Sequence, residues 1–289
     1  MIPPVIDTAW LQEHGKWVVL ADVRWYLDGR SGLEAYAAGH LPGAVFVDLD
    51  RWLAAPAEPT LGRHPLPTPE VFAEGMALLG IADDDVVVAY DDQGGVIAAR
   101  LVWMLRSTGH EAALLDGGID AYAGPLETVV PVRERAEFSV RPWPDDRLAS
   151  IDEASGPGEA SNAADSGNPV GAAAPVVLDA RDADRYRGDV EPVDPRAGHI
   201  PGALNLPCRE NLDETGRFLA IESLRERFAA AGVDRSTDVI SYCGSGVTAC
   251  HNLIALEHAG FGIGRLYPGS WSQYSSTDER EAAVCDAPA

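Results

Sequence analysis

The residues in this chain best suited to chemistry are Cys243-Gly244-Ser245-Gly246-Val247-Thr248. They follow a β-branched run (Val239, Ile240) and precede a stretch that reads as a helix to about Gly260. A strand that ends at a cysteine and turns through glycines into a helix aims several backbone N–H groups at one sulfur. Such dipoles suit a sulfur anion, and the thiolate is the nucleophilic form of cysteine. Cys243 is therefore read as a nucleophile, with Gly244, Gly246, Val247 and Thr248 as the loop positions that face a substrate. Cys208, Cys250 and Cys285 lack this setting and read as small buried hydrophobes. Cys250 lies about two helical turns beyond Cys243, which suits core packing better than a resolving thiol.

The elements that must hold this loop occur twice. Gly39-His40-Leu41-Pro42-Gly43-Ala44 recurs as Gly198-His199-Ile200-Pro201-Gly202-Ala203. Each copy is preceded by an apolar run ending in aspartate (Val18–Asp22, Val176–Asp179) and followed by a run ending in tyrosine (Val86–Tyr90, Val239–Tyr242). Gly117…Tyr122 then recurs as Gly269…Tyr274, so Tyr90 and Gly117 both find their counterparts 152 residues on. The spacing is far too long for a solenoid and marks a duplicated module. Thr68-Pro69-Glu70 opens a helix that Gly80 closes, and Ser223 to Gly232 is its partner. Short β-branched runs alternating with helices predict an α/β fold, each module a parallel sheet flanked by helices. Ligands on such sheets sit beyond the carboxyl ends of strands, where Cys243 falls. The expected division is residues 1–145, a linker over 146–175, and residues 176–289. Within the linker, Ser155 to Ala174 is Gly/Ser/Ala/Asn/Pro-rich without apolar periodicity and reads as a flexible insertion.

Composition narrows the function classes. A net charge of −23 disfavours nucleic acid and anionic membranes as partners. Four cysteines without Cys-x-x-Cys spacing argue against a disulfide framework and a zinc site, so no cofactor or metal is expected. The N-terminus reads as neither a secretory signal nor a membrane span, and a reducing cytoplasm fits best. Lys16 is the only lysine; the remaining cations are arginines, so arginines near Cys243 would have to attract any anionic substrate.

The duplicated Gly-His-[Ile/Leu]-Pro-Gly-Ala element, with a Cys-x-x-Gly-Val-Thr loop in the second copy alone, resembles the tandem-domain rhodanese family of sulfurtransferases. The resemblance covers the chain outside about residues 152–175. It implies two tandem rhodanese-like modules, the C-terminal one catalytic. Asp91 stands where the second copy has Cys243; it cannot accept sulfur and reads as structural. Thiosulfate-using members carry Cys-Arg-Lys-Gly-Val-Thr, whereas Gly244 and Ser245 fill those slots here, as in 3-mercaptopyruvate sulfurtransferases. Losing two cations removes about 1–3 kcal/mol of charge-assisted contact to a doubly charged donor.

By the same resemblance, Ser245 joins His64 and Asp50, from Val47–Asp50 and Gly62–Pro67, in a relay that protonates the leaving enolate. Arg185, before the aromatic of Arg185-Tyr186-Arg187-Gly188, is expected to bind the donor's carboxylate, with Arg196 as a second arginine. Arg196 comes one residue later than the pattern predicts. Arg181 is expected to pair with Asp179 or another local carboxylate, and His40 and His199, present in both modules, to be structural. Expected partners are a small sulfur donor, mercaptopyruvate or thiosulfate, and a thiol acceptor such as thioredoxin, or cyanide. A thiosulfate:cyanide sulfurtransferase and a non-catalytic sulfur carrier are the alternatives. Phosphatase chemistry needs Cys-x5-Arg, and the sixth residue after Cys243 is Ala249.

Overall fold

The computed structural model describes residues 1–155 and 174–285. Apart from its two end residues, the insertion expected at Ser155–Ala174 lies outside the described residues. The chain forms two compact units. The first comprises Met1–Pro56, His64–Pro144 and Arg209–Ala220; the second comprises Ala57–Arg63, Asp145–Cys208 and Ile221–Ala289.

In the first unit, β1 (Val5–Ile6), α1 (Thr8–His14), β2 (Val18–Asp22), α2 (Gly32–Ala38), β3 (Val45–Phe46), α3 (Pro69–Leu78), β4 (Val86–Tyr90), α4 (Ala99–Ser107) and β5 (Ala112–Leu115) follow in order. The strands form a sheet in the order β1-β5-β4-β2-β3, every pair parallel. β4 is apolar on both faces, the pattern of a strand covered on both sides, and Val87 to Tyr90 are buried. Thr68 caps α3 as expected, its side chain accepting the Val71 N–H.

The second unit holds α5 (Ile151–Ala154), β6 (Val176–Asp179), α6 (Ala183–Arg187), β7 (Leu204–Asn205), α7 (Ile221–Ala230), β8 (Val239–Tyr242), α8 (Ala249–His258), β9 (Arg265–Leu266) and α9 (Ser270–Tyr274). Its sheet runs β7-β6-β8-β9, again all parallel. Val177, Ile240, Tyr242, Tyr267 and Trp271 are at its core.

The two modules are fastened by the same bonds. Arg24 forks onto Asp22 and reaches the Gly39 carbonyl; Arg181 forks onto Asp179 and reaches the Gly198 carbonyl. Tyr90 Oη accepts the Leu41 N–H, and Tyr242 Oη accepts the Ile200 N–H. His40 and His199 each bond a tyrosine carbonyl through Nδ1 and stack on that tyrosine's ring. The repeated glycine-histidine element is thus tied in each module to the arginine that follows one strand and the tyrosine that ends another.

Candidate active site

Cys243 follows the last residue of β8 and is buried. Its sulfur accepts the Gly246 N–H at 3.1 Å. The next turn leads into α8, so the strand-turn-helix arrangement expected around the sulfur is present. Val247 is buried; Thr248 stands half-buried at the start of α8 and makes no side-chain cap. Cys250 is fully buried with its thiol directed at the Gly246 carbonyl, and Cys208 is buried as well. Cys285 differs from expectation: it is exposed, near the end of the described chain.

The loop is clamped from behind by α9. Trp271 donates its N–H to the Cys243 carbonyl and Ser272 to the Gly244 carbonyl, both at 2.9 Å. Ser270 Oγ accepts the Cys243 N–H at 3.1 Å and donates to the Tyr267 carbonyl at 2.9 Å. With φ of 52°, Ser270 is the only non-glycine residue at positive φ among the described residues. In the first module Gly118 holds the same place, at φ of 58°, and Ile119 donates to the Asp91 carbonyl. Placing a serine in backbone that suits glycine costs about 1–3 kcal/mol. The hydroxyl contact to the cysteine's own amide is what that strain supports. Sequence reading paired Gly269…Tyr274 with Gly117…Tyr122 but gave Ser270 no role; the serine-for-glycine exchange within the repeat was the available signal.

The first module shows what such a loop binds. Asp91, at the position of Cys243, is fully buried. Its carboxylate accepts N–H bonds from Gln93, Gly95, Ile97 and Ala98 at 2.7, 2.8, 2.8 and 2.9 Å. Four convergent amides make an anion nest. The corresponding residues around Cys243 are Ser245, Val247, Ala249 and Cys250.

Two arginines overhang Gly244. A Cβ there would lie 2.9 Å from Arg63 Nη2 and 3.4 Å from Arg185 Nη1. Arg63 grips Asp194 through Nε and Nη2 at 3.0 and 3.2 Å. Arg185 Nη2 bonds Glu191 at 2.6 Å and Asp194 at 3.2 Å. Burial holds the Asp194 carboxyl above its ordinary range, while the Arg63 charge pulls it down. Arg185 is thus placed beside the loop as the sequence suggested. Arg196 is not: it gives Nε to the Ser275 carbonyl, Nη1 to that of Arg280, and Nη2 to those of Tyr274 and Thr277. Those carbonyls lie in and just beyond the last turn of α9. A guanidinium spent on the end of a helix is a cap, and the donor role expected of Arg196 is not supported by its setting. Arg63 precedes His64 in Gly62–Pro67, and the resemblance marks that segment for the histidine alone, so no sequence signal tied Arg63 to the loop.

His64 and Asp50 meet in the first unit, Nε2 to Oδ1 at 3.7 Å. Trp25 holds Asp50 by Nε1–H to Oδ2 at 3.0 Å and lies edge-on to the His64 ring. Trp25 carried no sequence signal. Arg100 Nη2 donates to the His64 carbonyl at 3.1 Å, fixing that backbone.

The geometry agrees with comparisons to known proteins. A rhodanese-like domain matches residues 7–124 and again 157–277, and the chain belongs to the rhodanese family. It is 42% identical over 281 residues to a probable 3-mercaptopyruvate sulfurtransferase of Pseudomonas aeruginosa, spanning 93% of each chain. It is 38% identical to a putative thiosulfate sulfurtransferase, SseB, of Mycobacterium tuberculosis, spanning 95% of this chain and 93% of that one. Among solved structures, the 3-mercaptopyruvate sulfotransferase SseA of Escherichia coli matches with a TM-score of 0.77 at 30% identity, covering 93% of this chain and 99% of that one. No helix among the described residues is long and apolar enough to cross a membrane.

Proposed function

We propose that this protein transfers sulfur from 3-mercaptopyruvate to a thiol acceptor, or to cyanide, through a persulfide on Cys243. The observation that carries this reading is the glycine loop around Cys243, whose counterpart in the first module cradles a carboxylate with four amides. The Cys243 thiolate attacks the donor's sulfur. An S–S bond forms as the donor's C–S bond breaks, and the bonding pair leaves with carbon as the pyruvate enolate. The donor's S–H proton, passed on to the enolate carbon, balances the step and leaves pyruvate with a Cys243 persulfide anion. Ser245, His64 and Asp50 serve as the relay for that proton. An acceptor thiolate, thioredoxin or a small thiol, then attacks the outer sulfur and frees Cys243.

The amides of the loop suit the persulfide anion, because its outer sulfur, like a carboxylate oxygen, carries its charge two bonds from Cβ. No disulfide joins any of the four cysteines, which fits a reducing cytoplasm. Thiosulfate is the second reading, favoured by the name of the mycobacterial relative. The deciding experiment compares pyruvate release from mercaptopyruvate with thiocyanate formation from thiosulfate, with mass analysis of the Cys243 peptide. A tenfold or greater advantage in kcat/KM for mercaptopyruvate, and one added sulfur on Cys243, is expected. A thiosulfate preference, or sulfur on Cys208 or Cys250, refutes it.

A further inference from the structure

We propose that Arg63 is a donor-recognition residue, forming with Arg185 a two-arginine seat for the donor's carboxylate in the space that Gly244 leaves open. The inference rests on the functional reading above and assigns the residue that sets its specificity. Loops that carry arginine after the catalytic cysteine bring a cation of their own. Here that slot is glycine, and Arg63 Nη2 stands 2.9 Å from where its Cβ would be. A side chain at position 244 would meet the incoming guanidinium, so the cation is supplied from Ala57–Arg63 instead of from the loop.

That segment is built for the task. Arg63 N–H donates to Ser272 Oγ at 3.0 Å, and Gln273 Nε2 donates to the Thr60 carbonyl at 2.6 Å. A Cβ on Gly62 would lie 2.6 Å from the Gly269 carbonyl oxygen, so this turn packs against the start of α9. The same helix clamps the Cys243 and Gly244 carbonyls, and one element therefore registers both the sulfur loop and Arg63. The Asp194 carboxylate, nearly inaccessible, takes Nε and Nη2 of Arg63 and fixes the plane of its fork. The Arg185 atom that faces Gly244 is Nη1, 3.4 Å from where a Cβ would be, while Nη2 is held by Glu191 and Asp194, so a donor carboxylate beside Gly244 would meet Nη1. Asp194 and Glu191 offset the charges of Arg63 and Arg185, so the seat binds through aligned donors on a prearranged fork, not through a large unbalanced field. A planar carboxylate suits it better than tetrahedral thiosulfate.

The test uses full-length protein and pyruvate as an inert carboxylate probe, titrated by ligand-observed NMR, alongside mercaptopyruvate kinetics. Pyruvamide, the uncharged analogue, is the control. In Arg63→Ala we expect pyruvate affinity to fall at least tenfold and KM for mercaptopyruvate to rise to match. kcat should change by less than threefold, and pyruvamide binding should be unaffected. Arg63→Ala/Asp194→Asn removes the carboxylate charge that the single variant leaves with Arg185 alone and should show the same loss; Arg63→Lys should recover part of it. Wild-type pyruvate affinity in both alanine variants, or a wild type that does not distinguish pyruvate from pyruvamide, overturns the proposal. If wild-type protein binds pyruvate through Arg63 yet releases none from mercaptopyruvate, the seat stands and the donor assignment falls.

Discussion

Replacing Gly246 with alanine tests whether the loop amides hold the reacting sulfur. Gly246 has φ of +79° and donates its N–H to Cys243 Sγ at 3.1 Å. An added Cβ would stand 2.5 Å from the Pro268 carbonyl oxygen and 3.1 Å from its carbon. Left-handed backbone costs a side-chain-bearing residue about 1–2 kcal/mol. The clash adds to this, because both opposing atoms are main chain and no rotamer can relieve it. The loop must shift, and any shift away from Pro268 carries the amide off the sulfur. A hydrogen bond to a charged group contributes about 1.5–3 kcal/mol, or roughly 10- to 150-fold in rate if it forms at the reacting thiolate. Gly202 supplies the control: its φ is +82° but nothing lies within 4 Å of an added Cβ. Gly202→Ala should therefore lose only about 1 kcal/mol of stability and keep its activity. Gly246→Ala should unfold at lower denaturant and lose 10- to 100-fold in kcat/KM for pyruvate release. If Gly246→Ala keeps wild-type kcat/KM while losing stability like Gly202→Ala, the amide does not hold the reacting sulfur and the cradle argument fails.

Three further outcomes follow from the same geometry. Ser270→Gly should relieve the strained backbone and hold or raise Tm, yet lower kcat/KM about tenfold as the Cys243 N–H loses its acceptor; unchanged kcat/KM would remove the hydroxyl from the mechanism. His64→Ala and Ser245→Ala should each slow mercaptopyruvate turnover by about 10²-fold, with the double variant little worse and thiosulfate turnover much less affected. Equal losses with both donors would remove the relay. Burial holds His199 below the ordinary histidine range, so the unfolded chain takes up its proton first as pH falls. Its share of stability is complete above about pH 6.5 and is lost below that, and urea unfolding of His199→Asn should show a shallower decline between pH 7 and 5 than wild type.

Much of the fold was legible because duplication writes each structural bond twice. The histidines could be read as fastenings since the module without a cysteine has them too, while the Arg24–Asp22 fork and the tyrosine hydroxyl bonds emerged only from the structure. Cys243 was legible for the opposite reason: its loop departs from its copy at the residue that matters. What sequence could not give was proximity between distant segments. Arg63 reaches Gly244 only because Ala57–Arg63 folds with the second unit, and no local pattern encodes that exchange. Arg196 misled because a motif arginine can serve a helix end as readily as an anion. Trp25 and Ser270 act by orienting Asp50 and the Cys243 amide, and a residue that touches only another residue leaves no chemical signature in the chain.

The two loops hold the same kind of ligand in different forms, and this can be tested by exchange. In the first module the anion is covalently part of the chain: Asp91 fills its nest permanently with four amide bonds between 2.7 and 2.9 Å. In the second, Cys243 sulfur takes the Gly246 amide, and a carboxylate or persulfide one bond longer would reach farther into the loop. Cys243→Asp should therefore be inert to sulfur donors but well folded. Each amide bond to a charge contributes about 1.5–3 kcal/mol, set against several kcal/mol for burying the carboxylate. A net gain of about 1–2 kcal/mol over Cys243→Ala is the expected result if most of the amides converge. Cys243→Asn, of similar shape but uncharged, should fall between the two. The measurement is the urea midpoint of the three variants at pH 7.5, where the aspartate's charge is the main difference from asparagine. Cys243→Asp less stable than Cys243→Ala would mean that the second loop does not gather its amides on an anion. The persulfide would then need some other means of support, and the likeness between the two modules would not extend to how their loops hold an anion.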